Sequence, residues 1–469
     1  MEFSQSAMLA ANMHEYQDDY QRLNFITEEE GRAATLLRSE LLEKLVATGA
    51  SSICQGTKLH TGELSPGCRS CTNGRWSCLF INGLCNGRCF YCPTTQDSKS
   101  EPTTNNLRFA NPQDYIDYVQ LFDFTGVSIS GGEPLMTYDR TLTYVTKLKK
   151  RFGNAIHLWM YTNGMLATEE KIRSLADAGL DEIRFDISAD RYVLDKIKFA
   201  TGRIPWITVE IPAIPEDYQQ LRALLPALAD AGVNHLNLHQ LRCTPHNLNN
   251  LTARNYRFSH GPRILSIDSE LTALRLLFDA ATGRAPAVNY CSYAYKYRFQ
   301  SRASRLRVAA RLADPCEDIT EAGFIRRLTL TGSAKQISEC TAQINRKGIT
   351  SGLQLENPGR LNFNISLWPH LDFTGCTLLV SYYTPQLREN ASYRGRTLKV
   401  PLNRKRTLIA ERIGTVNGRE IPPEERLLFK TLFLTENHLL IQGEHPELLG
   451  TLADIYELER LPDGLHLYQ

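Results

Sequence analysis

Short apolar runs alternate with amphipathic stretches over most of the first 290 residues. Strands are predicted at 76–83, 126–130, 156–162, 182–187, 207–211, 235–239 and 287–291, with helices such as 168–178 and 217–231 between them. Repeated strand–helix units build a parallel sheet. Seven of them imply an α/β fold, a partial or nearly complete (β/α) barrel whose functional groups sit at the strand C-terminal ends. Upstream, residues 1–60 read as a helical N-terminal lead-in: Leu36, Leu37, Leu41, Leu42 and Leu45 recur at helical spacing, and Glu28, Glu29 and Glu30 put charge where a helix N-terminus favours it. The barrel region is expected over 61–313, ending in a helix at 293–313 that carries Lys296, Arg298, Arg302, Arg305, Arg307 and Arg311 with no acid among them. Beyond a boundary at 314–323 the pattern changes to strand-like alternation at 324–331, 352–355, 360–367, 377–383, 397–400 and 438–442, with a helix at 334–347. That predicts a C-terminal α+β domain over 320–469.

Composition narrows the function classes. The 469 residues hold 53 Lys+Arg against 51 Asp+Glu, a net +2, which excludes a globally basic nucleic-acid binder and leaves any charged surface to be sought locally. No run of eighteen apolar residues suggests a bilayer span, and no basic segment followed by a long apolar one marks a secretory signal, so a cytoplasmic protein that does not enter the membrane is expected. In that setting the twelve cysteines read as thiols or metal ligands rather than disulfides. Seven of them, Cys54, Cys68, Cys71, Cys78, Cys85, Cys89 and Cys92, fall in one short stretch, and the chemistry is expected to begin there.

At the end of the first predicted strand runs Cys85-Asn-Gly-Arg-Cys89-Phe-Tyr91-Cys92-Pro. Three thiolates at this spacing can bind three irons of a [4Fe–4S] cube and leave the fourth iron open to an outside ligand. Spacing alone is equally compatible with a zinc knuckle. The second predicted strand ends in Ser130-Gly131-Gly132-Glu133-Pro134, where adjacent glycines allow close backbone approach and Glu133 offers an acceptor for an ammonium group; alone, this segment is more readily a tight turn with a solvated Glu.

The two motifs together, each just after a strand, resemble the signature of the radical S-adenosylmethionine (radical SAM) superfamily. Stretches such as Leu64-Ser-Pro-Gly-Cys68-Arg-Ser-Cys71, Leu79-Phe-Ile-Asn-Gly-Leu84-Cys85, Asp181-Glu-Ile-Arg-Phe185 and Asn289-Tyr-Cys291-Ser extend the resemblance over about 60–325 to an uncharacterised family related to pyruvate formate-lyase activating enzyme. The resemblance implies a radical SAM barrel and an iron–sulfur oxidoreductase in which Cys85, Cys89 and Cys92 hold the cluster and S-adenosylmethionine chelates the open iron. Reductive cleavage then yields a 5′-deoxyadenosyl radical that abstracts hydrogen from a substrate. It places Tyr91 against the adenine and Gly131, Gly132 and Glu133 against the methionine end. Asn163 and Glu210, at predicted strand ends, are candidates for hydrogen bonds to ribose or methionine groups, and Asp186, Ser188 and His239 could line the cavity. No catalytic residue beyond these is identified, and an electron donor such as ferredoxin or flavodoxin is implied.

A second metal site, an auxiliary cluster or a zinc, is a further candidate at Cys68 and Cys71 with Cys54 and Cys291, while Cys78 reads as a core residue. Three substrate classes stay open: a protein or peptide from the activating-enzyme relationship, RNA from the arginine-rich helix, and a small molecule from the habits of barrel enzymes. The rival reading is a non-catalytic zinc protein that binds nucleic acid.

Overall fold

The structure is a computed structural model that describes residues 2–392, 395–434 and 450–468. Residues Glu2–Gln300, together with the segment that begins at Gly464, form one compact unit, and Ser301–Asp463 form a second.

In the first unit seven strands, β1 (Trp76–Phe80), β2 (Gly126–Ser130), β3 (His157–Thr162), β4 (Glu182–Phe185), β5 (Trp206–Pro212), β6 (His235–His239) and β7 (Ala287–Cys291), lie side by side in chain order, all parallel. This is the α/β arrangement expected, a curled sheet with helical crossovers. β1 and β7 do not pair with each other; each is instead capped by a short antiparallel hairpin, Thr103–Thr104/Leu107–Arg108 on β1 and Ser51–Ile53/Lys58–His60 on β7. The barrel is therefore partial. Residues 1–60 are consequently not helical throughout: helices α1 (Glu2–Tyr16) and α2 (Glu28–Ala47) give way to the second hairpin.

The period-two alternation of the strands sorts their side chains. One set, including Leu79, Ile129, Met160, Ile183, Val209 and Leu238, is completely buried and apolar. The other set faces a hollow interior and is largely polar: Cys78, Ser130, Arg184, Glu210, Asn237 and Asn289 line it beside the aromatic Trp76, Trp159 and Tyr161. Register aligns these inner residues in rows, with Glu210 opposite Asn237 and Asn237 opposite Asn289. The short helix α3 (Pro66–Thr72) begins with Ser65 accepting from the Cys68 backbone N–H at 3.1 Å and Pro66 in its first turn. Its Gly67 packs so tightly on the inner face that an added Cβ would lie 2.3 Å from Arg184 Nη2.

The last described residues return to this unit. Gly464 N donates to Gln55 O at 2.7 Å, Arg38 Nη1 donates to His466 O at 2.7 Å, and the Tyr468 hydroxyl donates to Glu270 at 2.6 Å.

The second unit is a seven-stranded antiparallel sheet whose long central strands, Thr377–Arg388 and Thr407–Ile421, pair with each other. Leu328, Ile337, Phe363, Trp368 and Phe429 form its core with the helices Ala334–Arg346 and Pro423–Phe433. The strand expected at 438–442 lies outside the described residues. The helix expected at 293–313 is broken: Tyr293–Tyr295 leads into a π-helical turn, Lys296–Gln300, and only Ser301–Leu312, which belongs to the second unit, is regular α-helix. Several of its guanidinium groups hold backbone carbonyls, Arg302 that of Glu321 and Arg305 that of Ala322.

Candidate functional site

The loop after β1 is fastened to the loop after β2 by main-chain hydrogen bonds. Gly132 N donates to Asn82 O at 2.9 Å and Glu133 N to Leu84 O at 2.6 Å. Only glycine fits at this seam: a Cβ on Gly131 (φ +121°) would stand 2.4 Å from Asn82 O, and one on Gly132 only 1.9 Å from Leu84 O. The close approach that the glycine pair permits is thus to the cysteine-bearing loop. Glu133, 1% exposed, accepts from Leu135 N (2.9 Å) and the Thr162 hydroxyl (2.8 Å) on one oxygen and from Asn163 N (2.7 Å) on the other. Its carboxylate ties the end of β2 to the end of β3. Burial pushes its pKa up, against the pull of those hydrogen bonds.

Cys85, Cys89 and Cys92 line a cavity of about 740 Å³ at the C-terminal ends of the strands, together with Tyr91, Gly131, Gly132, Glu133, Asn163, Asp186, Glu210 and His239. Gly87 sits between the first two thiols: a Cβ there would meet Cys85 Sγ at 3.4 Å and Cys89 Sγ at 3.6 Å. Cys85 Sγ accepts from Gly87 N at 3.3 Å and from Asn163 Nδ2 at 3.7 Å. N–H groups aimed at sulfur and a side-chain-free gap between two thiols suit a thiolate-bound iron–sulfur cube, and the donor set fits one with an open iron. Burial pushes the Cys89 thiol up to about 11 and raises Cys85, so metal binding must displace their protons. Among the described residues no three His, Cys, Asp or Glu side chains converge on a single ion, here or elsewhere.

Tyr91 latches this loop to the end of β4. Its hydroxyl donates to Asp186 at 2.9 Å and meets the Ser188 hydroxyl at 2.6 Å, while its carbonyl accepts from Asn247 Nδ2 at 3.0 Å. Burial raises the pKa of Asp186.

Beneath the strand ends lies a buried ion network. Glu210 accepts from Arg184 Nη1 (2.6 Å), His239 Nε2 (2.6 Å) and Asn237 Nδ2 (2.9 Å). Glu182 accepts from Arg184 Nε, His157 Nε2 and the Thr208 hydroxyl, each at 2.8 Å. Burial alone raises both carboxyls; Arg184 and the hydrogen bonds outweigh it and take Glu182 down to about 2 and Glu210 well below the usual range. Burial and then the Lys296 ammonium push His239 down, against the pull of Glu210, which accepts from its Nε2. Sequence reasoning singled out Glu210 but passed over its partner Arg184, whose signal was an arginine two residues after a glutamate in a four-residue strand, Glu182-Ile-Arg-Phe185. It read Lys296 as part of the basic helix and passed over Arg242; both line the same cavity.

Of the four cysteines proposed for a second site, Cys68, Cys71 and Cys291 line one inner cavity and Cys54 does not; Cys78, read as a core residue, lines it too.

Residues 79–206 match the radical SAM superfamily. The chain is 30% identical over 277 residues to a Methanocaldococcus jannaschii protein described as a candidate glycyl-radical enzyme activating enzyme, covering 56% of this chain and 73% of that one. It is 28% identical over 112 residues to a GTP 3′,8-cyclase of Nautilia profundicola, covering 23% of this chain and 33% of that one. Among solved structures, SuiB of Streptococcus suis bound to its precursor peptide SuiA aligns at 13% identity and TM-score 0.28 over 43% of this chain and 42% of that chain. The methyltransferase TsrM of Kitasatospora setae aligns at 13% and 0.30 over 39% of each. The chain spans only about two-fifths of each solved chain, a likeness too partial to bear on chemistry. Identity to a relative covered over nearly three-quarters of its length, on top of the superfamily match across the cysteine loop, is decisive: the chain belongs to the radical SAM superfamily and is an enzyme of that class.

Proposed function

We propose that Cys85, Cys89 and Cys92 hold a [4Fe–4S] cluster, that the 740 Å³ cavity binds S-adenosylmethionine, and that the enzyme takes hydrogen from a protein or peptide segment. The observation that carries this reading is that the three cysteines, the glycine seam between the loops after β1 and β2, and the end of β3 share one cavity at the barrel mouth. Its volume lies within the range of about 300–1,000 Å³ usual for small-molecule sites. When bound, the cluster and S-adenosylmethionine supply a reductively generated 5′-deoxyadenosyl radical. The chain's own residues position and shield. Asn163 Nδ2 steadies Cys85, Tyr91 pins the cysteine loop to β4, and Glu133 locks two strand ends in register with it.

A protein substrate is supported by the description of the Methanocaldococcus jannaschii relative. The RNA reading needs a row of guanidiniums facing outward, whereas Arg298, Arg302 and Arg305 donate to backbone carbonyls. Twelve cysteines without a disulfide among the described residues favour a reducing compartment, the cytoplasm, where a ferredoxin or flavodoxin would serve as electron donor. No helix among the described residues is long and apolar enough to cross a membrane.

The test is anaerobic reconstitution followed by an assay of 5′-deoxyadenosine from S-adenosylmethionine with a strong reductant. Cleavage is expected in the wild type and is lost in the Cys85→Ala/Cys89→Ala/Cys92→Ala variant. Equal cleavage by both would refute the assignment.

A further inference from the structure

On the inner side of the strand ends, a second space of about 330 Å³ is lined by four cysteines: Cys68 and Cys71 of α3, Cys78 in the middle of β1, and Cys291 at the end of β7. Hydrogen-bond donors point at two of these sulfurs. Cys68 Sγ accepts from Asn237 Nδ2 at 3.3 Å and Asn289 Nδ2 at 3.9 Å; Cys71 Sγ accepts from Gln300 Nε2 at 2.9 Å and lies 3.2 Å from the Tyr295 hydroxyl. Amide donors turned toward sulfur are the usual support of thiolate ligands.

A second, independent feature points the same way. Lys58 lines this space, is 1% exposed, and among the described residues has no carboxylate partner and no side-chain hydrogen bond; its Nζ stands 4.4 Å from the Tyr295 ring centroid. An ammonium buried that deeply calls for a negative neighbour. We propose that Cys68, Cys71, Cys78 and Cys291 hold a second iron–sulfur cluster inside the barrel, whose net negative charge faces Lys58. A single zinc would draw its sulfurs to about 2.3 Å from one point. Here four cysteines stand around a space far larger than one ion, and no three of them converge on a point. Cys54, on the hairpin turn, is outside the set, and Cys78 replaces it.

The inference is independent of the mouth cluster, and one experiment separates the two. The full chain and its Cys85→Ala/Cys89→Ala/Cys92→Ala variant, which leaves the inner cysteines untouched, are reconstituted with iron and sulfide without oxygen, and iron, sulfide and zinc are counted per chain. About eight irons in the wild type and about four in the variant are expected. A variant with no iron, or with zinc in its place, overturns the inner cluster even if the wild type holds about four. About four irons in both proteins would keep the inner cluster and remove the mouth one. Lys58→Met in the variant background is expected to lower the reduction potential of the retained cluster, because a cation beside it is lost. An unchanged potential would place that iron elsewhere and overturn the ligand assignment.

Discussion

Arg184 shows how one side chain can hold a polar interior together. It serves two buried carboxylates at once, Glu182 through Nε and Glu210 through Nη1, and an interior with two anions and no such cation would be strongly unfavourable. Arg184→Met is expected to cost about 3–5 kcal/mol at neutral pH, because it leaves both carboxylates uncompensated. The pH dependence follows from Glu182. Its folded pKa, about 2, lies below its ordinary 4.5, so the stabilisation is complete above about pH 5 and is lost as pH falls toward 2. The gap between wild type and variant in urea unfolding should therefore shrink from pH 7 to pH 3; a gap of constant size would contradict the network's role. Arg184 also marks what a sequence conceals. A charged pair inside a short strand looks like a surface feature until residues of the neighbouring strands, Trp159 on one side and Glu210 on the other, close over Arg184.

The cysteine loop depends on fastenings from four neighbouring elements: the β2 end through Gly132 and Glu133, the β3 end through Asn163, the β4 end through Tyr91, and the helix Leu248–Thr252, whose Asn250 Nδ2 donates to Phe90 O at 3.3 Å. Tyr91→Phe removes the hydroxyl donated to Asp186, at a cost of about 1–3 kcal/mol in loop docking. Faster cleavage within residues 85–96 in limited proteolysis followed by mass spectrometry is the expected sign; cleavage at the wild-type rate would show that the latch does not govern loop order. The strands that carry these fastenings were legible because each combines an apolar run with a turn signal. The expected 126–130, 235–239 and 287–291 coincide with β2, β6 and β7. The 51–60 hairpin was not legible, since two three-residue strands of mixed polarity carry no period. Lys58, and with it the charge of the inner cavity, was hidden for the same reason. The long strand Thr407–Ile421 escaped notice because its charged residues, Glu411 and Arg412 among them, read as loop, while the structure pairs Arg412 with buried Glu317 at 2.6 Å. Cys78 was placed correctly in β1, but period-two alternation alone cannot say which face of a strand is hollow.

At the scale of the whole molecule, the second unit is an insertion. The chain leaves the barrel unit at Gln300 and returns to it at Gly464. The returning segment is a structural part of the barrel unit: Arg298 Nη1 donates to Gly464 O at 2.7 Å, and Arg38 bridges His466 O and Glu270, to which Tyr468 also donates. Deleting 464–469 leaves Arg38 and Glu270 with fewer partners in a buried setting, and a fall of several degrees in the midpoint of barrel unfolding is expected, read by calorimetry. An unchanged midpoint would make the returning segment ornamental. The same topology orders the protein's birth. A ribosome delivers residues from the N-terminus, so all seven barrel strands emerge early, yet the segment that braces α2 arrives only after the whole inserted unit has been made. The nascent barrel must wait, half-braced and with its thiols already in place, until the returning segment from Gly464 is translated.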